Sequence, residues 1–300
     1  MSARRDPRAG NLYFINRDVA DRGRNATEIL LLIFAFMLAA PGRIVMNRGN
    51  HESHDMNVRG FQEGGGFAAE VGSKYDSTTF TLFQEVFNQL ALATLVNNEV
   101  LIVHGGLCRN PSTTLEDIRK INRKRPVPVS PNSPEGGLCF GLMWAGARAG
   151  AGSGGAAVRG GGCCTYGPEV TRRFGEVNRL RMVIRSHEVP KTLTGVQGQH
   201  DGRLVTVFSA SNYCGRIGNT GGTMLLTPEL NYQLMEHWAP SLQELLRIEE
   251  EERAAAEAAA QPSDRSSAAA AIGEPASRRT GFAIQAAGRR RRDRPQHIQA

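Results

Sequence analysis

Asn47-Arg48-Gly49-Asn50-His51-Glu52 decides how this chain is read. An apolar helical run (27–40), a turn at Pro41-Gly42 and a short apolar strand, Arg43-Ile44-Val45-Met46, lead into it. The stretch therefore sits at the C-terminal end of a strand, where open α/β sheets carry their chemistry. Gly49 permits a tight turn that a side chain would block. Asn50 offers a carbonyl oxygen to a hard metal ion, and His51 an imidazole that titrates near neutrality. Taken alone, the six residues read equally well as an ordinary polar loop.

The text on either side repeats the pattern. Upstream, Asn11 to Asn16 reads as a buried strand and Asp18-Val19-Ala20-Asp21-Arg22-Gly23 as the loop after it. Asn25 or Thr27 caps the next helix, with Glu28 in its first turn. Strand, loop, helix, strand, loop is an α/β rhythm. Downstream, Gly60 to Gly66 reads as a flexible insert. Ser77 to Leu95 reads as a helix with Phe80, Phe83, Val86, Phe87 and Leu90 on one core-facing stripe. Glu99 to Val103 is a third buried strand, ending in His104-Gly105-Gly106-Leu107. A short helix at Leu115–Ile121, proline-rich text (126–134) and a Gly/Ala loop (146–162) follow. A helix begins at Tyr166. The strand Met182-Val183-Ile184-Arg185 runs into Ser186-His187-Glu188. Strands at Arg203–Phe208 and Thr223–Leu226 have little helix between them, which predicts a more antiparallel second half. The reading gives a disordered start (1–10), one folded domain (11–240), a charged helix (241–260) and a disordered basic tail (261–300).

The net charge of the 300 residues is +7. Much of it lies at the ends, in Arg4, Arg5 and Arg8 and in Arg289 to Arg292 with Arg294, while the middle is close to balanced. No nucleic-acid-binding domain is read from it; the arginine clusters read as solvated tails, with a nuclear address or polyanion contact as the other option. The five cysteines show no CxxC spacing and no apolar leader follows Met1, so reduced thiols in the cytoplasm or nucleus are expected. No apolar run approaches the roughly 20 residues that cross a bilayer, and no membrane contact is expected.

Four loops at strand ends thus carry metal-type ligands: Asp18 with Asp21, Asn50 with His51, His104, and His187. Asp, Asn and His together suit manganese, iron or zinc. Arg22 and Arg159 offer planar forks for phosphate oxygens. Metal ligands, a histidine and arginines together describe metal-assisted hydrolysis of a phosphate ester.

The successive motifs Asp18 to Gly23, Arg48-Gly49-Asn50-His51-Glu52, His104-Gly105-Gly106-Leu107, Arg185-Ser186-His187-Glu188 and Ser209-Ala210-Ser211-Asn212-Tyr213 resemble those of the phosphoprotein phosphatases, the metal-dependent serine/threonine type. The 32 positions from Asp18 to Asn50 fit that family's helix-then-strand unit, and Leu115 to Ile121 and Tyr166-Gly167-Pro168-Glu169-Val170 agree as well. The resemblance runs from Leu12 to Leu226, nearest the protein phosphatase five and EF-hand phosphatase branches. It implies a metallophosphoesterase fold, an α/β (α+β) β-sandwich flanked by helices. It implies two divalent metals (Mn, Fe or Zn), with Asp18 bridging them and Asn50, His104 and His187 completing the ligand set of the second metal. It implies that a metal-activated hydroxide attacks phosphoserine or phosphothreonine in proteins. His51, held by Asp21, would protonate the leaving oxygen, and Arg22, Arg159 and Tyr213 would hold the phosphate. Phosphoprotein substrates and regulatory subunits are the implied partners.

The family also carries a Gly-Asp-x-His-Gly motif some 30 residues before the bridging aspartate, and none of the 17 residues before Asp18 reads that way. The expectation is therefore a domain without its first strand, whose first metal keeps only Asp18. Arg17 stands where the family has Gly. An impaired relative that binds phosphoproteins or partners, and a generic metallohydrolase, are the competing readings.

Overall fold

The computed structural model describes residues 11–16, 18–108, 110–127, 133–150, 165–240, 244, 246–248, 250–251, 253–254 and 296–298. Arg17 and Arg159 lie outside these residues, as do the stretches 1–10 and 261–295.

The first half builds a strand–helix–strand unit. β1 (Tyr13–Asn16) and β2 (Ile44–Asn47) pair in parallel, with α1 (Ala26–Ala39) as the crossover. After β2 come α2 (His54–Asn57), α3 (Phe67–Lys74) and α4 (Ser77–Gln89). The phenylalanine stripe does face inward. Phe83 and Phe87 are buried beside Phe67, whose ring meets Phe83 edge-on with centroids 5.2 Å apart. Val86 turns outward and is 38% exposed. α1 is apolar all round, but only Ala26, Thr27, Leu30 and Ile33 are buried, and Leu38 is 82% exposed. Asn25 stands at its N-cap without a side-chain cap, and Thr27 hydrogen-bonds the buried Glu70 instead.

The helix expected over Ser77–Leu95 stops at Gln89. Residues Ala93–Val96 form β3, antiparallel to β4 (Val100–Val103). Ala-Thr-Leu-Val is β-branched and fully apolar on one side, and the turn at Asn97-Asn98 has positive φ at both residues, which closes a hairpin. α5 (Leu115–Arg119) is capped by a reciprocal Thr114–Asp117 box. α6 (Pro134–Trp144) occupies the end of the proline-rich text, where Pro134 sits at its first turn and Ser133 caps it. Two short strands, β5 (Gly146–Ala147) and β6 (Thr165–Tyr166), bracket the Gly/Ala tract in parallel. α7 (Pro168–Asn178) then leads to β7 (Met182–Arg185), β8 (Val196–Gln199), β9 (Leu204–Val207), and the antiparallel hairpin of β10 (Gly221–Leu226) and β11 (Tyr232–His237). A last strand, β12 (Gln296–Ile298), joins the edge of the main sheet.

That sheet has the order β12-β3-β4-β7-β9-β8. It is mixed: β4, β7 and β9 run parallel, and β3, β8 and β12 antiparallel to their neighbours. One face packs on α5, α6 and α7 through Leu101, Val103, Val183, Leu142 and Phe174. The other packs on β1 and β10 through Ile102, Ile184, Val205, Phe14 and Met224. The outer face of β1 and β2 packs on α1, α3 and α4. The result is a β-sandwich with helices on both sides.

The chain divides into two compact units, Met1–Ala239 with Arg294–Ala300, and Pro240–Asp293. The described residues of the second from 244 onward have helical geometry. No helix among the described residues is long and apolar enough to cross a membrane.

The two faces of α4 separate in stability. Phe87→Ala deletes a fully buried ring and costs about 3–5 kcal/mol. Val86→Ala, one position earlier, costs about 0.5 kcal/mol or less. Urea unfolding of the two variants measures the difference, and equal losses would contradict this helix register.

Candidate metal centre

Loops from both sheets of the sandwich meet over one cleft, and two asparagines at the strand ends hold them in register. Asn47 Nδ2 donates to Asn16 Oδ1 at 2.9 Å and to the Ile102 carbonyl at 3.1 Å, while its Oδ1 accepts from Thr94. Asn16 Nδ2 donates to the Val103 carbonyl at 2.8 Å. These bonds tie the ends of β1 and β2 to the end of β4. The loops that follow carry Asp18, Asn50 and His104, and β7 brings His187 beside them.

Glu52 fixes the first two loops against each other. Its fully buried carboxylate accepts from the backbone N–H groups of Val19, Ala20 and Gly49. A Cβ on Gly49 would stand 2.1 Å from Asp18 Oδ1, so the approach requires glycine. Burial and the neighbouring Asp18 charge push Glu52 up to about 7.

Asp18, His104 and His187 place one ligand atom each within 4.8 Å of the others. His104 Nε2 lies 3.3 Å from Asp18 Oδ1, 3.2 Å from His187 Nδ1 and 3.1 Å from Asn50 Oδ1. His187 Nδ1 is also 3.1 Å from Asn50 Oδ1. In a tetrahedral or octahedral shell with ligands about 2.1 Å from the ion, neighbouring donors stand about 3.0–3.4 Å apart. The four side chains have that spacing.

Their chemistry fits a cation as well. With its oxygen toward the cluster, Asn50 faces acceptor atoms. Reversed, its nitrogen would donate to Asp18 and its oxygen would accept from Trp144 Nε1 at 3.3 Å. Hydrogen bonding alone favours the reversed amide, and a cation at the centre favours the first. Burial, helped by the charge of His104, holds His187 well below the usual imidazole range, which keeps it neutral as a ligand must be. Burial alone would raise Asp18, but His104, His51 and His187 hold its carboxyl well below the ordinary range. The backbone of His187 has φ 68°, a left-handed conformation in a non-glycine residue that surrounding structure must enforce.

His51 lies beside this cluster. Its Nδ1 is 2.8 Å from Asp21 Oδ2, and both side chains are buried. Asp21 is itself held by Asn57 Nδ2 and by the Phe67 backbone N–H, each at 2.9 Å. Burial pulls the His51 pKa down, but the charges of Asp18 and Asp21 outweigh it and the net shift is upward. Asp21 and Arg22 both have positive φ, so the loop turns sharply at its second aspartate.

The cleft is lined by Asp18, His51, His104, His187, Arg22 and Tyr213, with Ser209 and Ala210 on its far wall, and encloses about 500 Å³ including the solvent at its mouth. The Arg22 guanidinium lies 6.0 Å from the Tyr213 ring centroid and rests over Gly64, where a Cβ would come within 2.6 Å of it. Burial pushes the Tyr213 hydroxyl up to about 12, so it stays a donor. Of the residues singled out in the sequence, Asp18, Asp21, Arg22, Asn50, His51, His104, His187 and Tyr213 come together here, and Arg159 lies outside the described residues.

Sequence reasoning did not single out Glu52, Asn57 or Arg185. Arg185 is 1% exposed, donates to the Gly105 and Ala145 carbonyls and pairs with Glu188, thereby fixing the loops of His104 and His187 to each other. Glu52 and Arg185 stand inside quoted motifs, but only their burial shows what they do. Asn57 has no sequence signal at all.

The profile described as Calcineurin-like phosphoesterase matches residues 4–191. Serine/threonine-protein phosphatase T of Aspergillus oryzae is 40% identical over 233 residues, 77% of this chain and 46% of its own. Serine/threonine-protein phosphatase 5 of Rattus norvegicus is 42% identical over 213 residues, 71% of this chain and 40% of its own. This chain thus spans less than half the length of either relative. A solved serine/threonine phosphatase from Saccharomyces cerevisiae, described as similar to human phosphatase PP5, superposes with a TM-score of 0.67 at 36% identity, covering 77% of this chain and 71% of that one. The profile match takes in every loop of the cleft except the one that carries Tyr213, and on that ground the chain belongs to the calcineurin-like phosphoesterase family.

Proposed function

We propose that this chain hydrolyses phosphoserine and phosphothreonine in proteins. One observation carries the reading: the Asp18–Asn50–His104–His187 cluster at ligand spacing, with the His51–Asp21 pair beside it in one cleft. The names of its relatives support the substrate class. The intact His51–Asp21 pair supports hydrolysis over a binding-only role, because binding a phosphoprotein does not require an aspartate-held imidazole.

Asp18, Asn50, His104 and His187 would hold a divalent cation, Mn, Fe or Zn by donor type. When bound, such an ion neutralises phosphate charge and lowers the pKa of water. This matters because two carboxylates, Asp18 and Asp21, lie in the cleft and would otherwise repel a phosphate dianion. A second ion would share Asp18 alone among the described residues. Arg22 stands at the mouth to bind phosphate oxygens with its fork, backed by Tyr213. Asp21 fixes the His51 ring by its bond to Nδ1, which leaves Nε2 to deliver a proton to the departing serine or threonine oxygen. The upward shift of His51 keeps that proton in place near neutral pH.

Two measurements test this. His51→Asn lowers turnover of a phosphoserine peptide by about 10²–10⁴-fold, the usual worth of a general acid. The same variant loses less on para-nitrophenyl phosphate, whose phenolate leaves without a proton. Equal losses on both substrates would remove His51 from that role. Separately, manganese at about 100 times its dissociation constant stabilises the chain by about 2.7 kcal/mol, raising Tm by about 5–10 °C at this size. Differential scanning calorimetry of the parent and of His104→Ala reads the effect, and an unchanged shift in the variant would move the cation elsewhere.

A further inference from the structure

The bond between Asp21 and the His51 ring is only as well placed as the groups behind it, and those groups lead out of the cleft. Asn57, the last residue of α2, is fully buried and uses both protons of its amide. Its Nδ2 donates to Asp21 Oδ2 at 2.9 Å and to the His51 carbonyl at 2.7 Å. One NH2 group therefore holds both the aspartate and the main chain of the histidine that the aspartate orients. The carboxylate of Asp21 also accepts from His51 Nδ1 at Oδ2 and from the Phe67 backbone N–H at Oδ1, so both of its oxygens are fixed.

The amide of Asn57 serves in one orientation only. Turned over, it would set its oxygen against two other oxygens. Gln84 of α4 keeps it the right way round, because Gln84 Nε2 donates to Asn57 Oδ1 at 2.8 Å. Gln84 follows the buried Phe83 in the helix and is itself half-buried. A line of side chains, Gln84–Asn57–Asp21–His51, thus runs from the flank of α4 to the ring in the cleft through bonds of 2.8, 2.9 and 2.8 Å. Neither Asn57 nor Gln84 lines the cleft, so neither reaches a phosphate there.

We infer that Asn57 is a positioning residue for the proton that His51 delivers, acting through Asp21 and the His51 carbonyl, and that Gln84 fixes the orientation of its amide. This rests on the reading of His51 as proton donor. A positioning role leaves a mark that lost packing does not: the departing serine oxygen needs the proton, and para-nitrophenolate leaves without it.

Steady-state kinetics of three variants reads that mark. Asn57→Leu keeps the size of the side chain and removes both donors. It is expected to lower kcat on a phosphoserine peptide by about 10–10²-fold, the scale of a reacting group misplaced by up to about 1 Å. KM is expected to change little, and the loss on para-nitrophenyl phosphate to be smaller. Gln84→Met removes only the outer donor and is expected to lose about three- to tenfold on the peptide, while Gln84→Lys restores a donor and recovers the rate. Should Asn57→Leu fail to fold, the contrast between the two Gln84 variants carries the test. A second readout needs no turnover. In the zinc-loaded chain the His51 Nδ1 proton, buried against Asp21, is expected to give a slowly exchanging downfield NMR line, assigned by its loss in His51→Asn. That line is expected to broaden by solvent exchange in Asn57→Leu and Gln84→Met and to stay sharp in Gln84→Lys. Equal losses on the two substrates, a Gln84→Lys as slow as Gln84→Met, a parent without the line, or a line that no variant alters overturns the inference. A parent that turns over neither substrate removes the phosphatase reading instead, and the NMR comparison then decides by itself whether Asn57 and Gln84 place the ring.

Discussion

The site depends on one buried carboxylate. Glu52 is fully buried and receives three backbone N–H groups, two from the loop after β1 and one from the loop after β2. An unpaired carboxylate there would be costly, so the two loops must come to it. Once they do, Asp18 and Asn50 have no freedom to separate. The His51 backbone N–H donates to Asp18 Oδ1 at 2.9 Å, and Gly49 leaves room for the contact. Asp18 is thereby placed by the second loop as much as by its own.

A similar constraint joins the sheets. Asn16 and Asn47 stand at paired positions, Asn16↔Asn47, at the ends of parallel strands. Their side chains bond to carbonyls of β4 and so act as rungs between two sheets that share no ladder. Arg185 performs the corresponding task for the loops after β4 and β7. Asp18, Asn50, His104 and His187 meet from four loops within a few ångströms because buried polar groups beneath them leave each loop one position. Packing alone, which tolerates shifts of several tenths of an ångström, would hold them less tightly.

Much of this was legible in the residues. Strands that end in Asp, Asn or His are short, apolar and β-branched, and their loops are polar and glycine-rich, so β1, β2, β4 and β7 could be placed and their loops compared. The motifs after them supplied the family, which the profile match and the solved relative bear out. Other parts were hidden for physical reasons. β3 was absorbed into the preceding helix because Leu90, Leu92 and Leu95 extend the apolar text of α4, and nothing but the Asn97-Asn98 turn marks the change of period. α6 was masked by the prolines before it, although a proline at a helix's first turn is favourable. α1 is apolar all the way round, so its sequence does not mark a buried stripe, and only the fold decides which one is covered. Glu52 and Arg185 read as motif letters, since burial is a property of the assembled loops.

The electrostatics follow from the same assembly. Asp18, Asp21 and Glu52 crowd into a small volume, and the protein answers them in different ways. Glu52 is pushed toward its neutral form, while Asp18 is held well below the ordinary carboxylate range, and the neighbouring Asp18 and Asp21 raise His51. His187 is driven the other way by burial and by His104. Two histidines in one cleft therefore differ in protonation: one holds a proton next to Asp21, and the other presents a bare nitrogen next to Asn50. That separation gives one imidazole the state of a proton donor and the other the state of a metal ligand. It arises from where the carboxylates sit, and the carboxylates sit where Glu52 and the backbone N–H groups hold them.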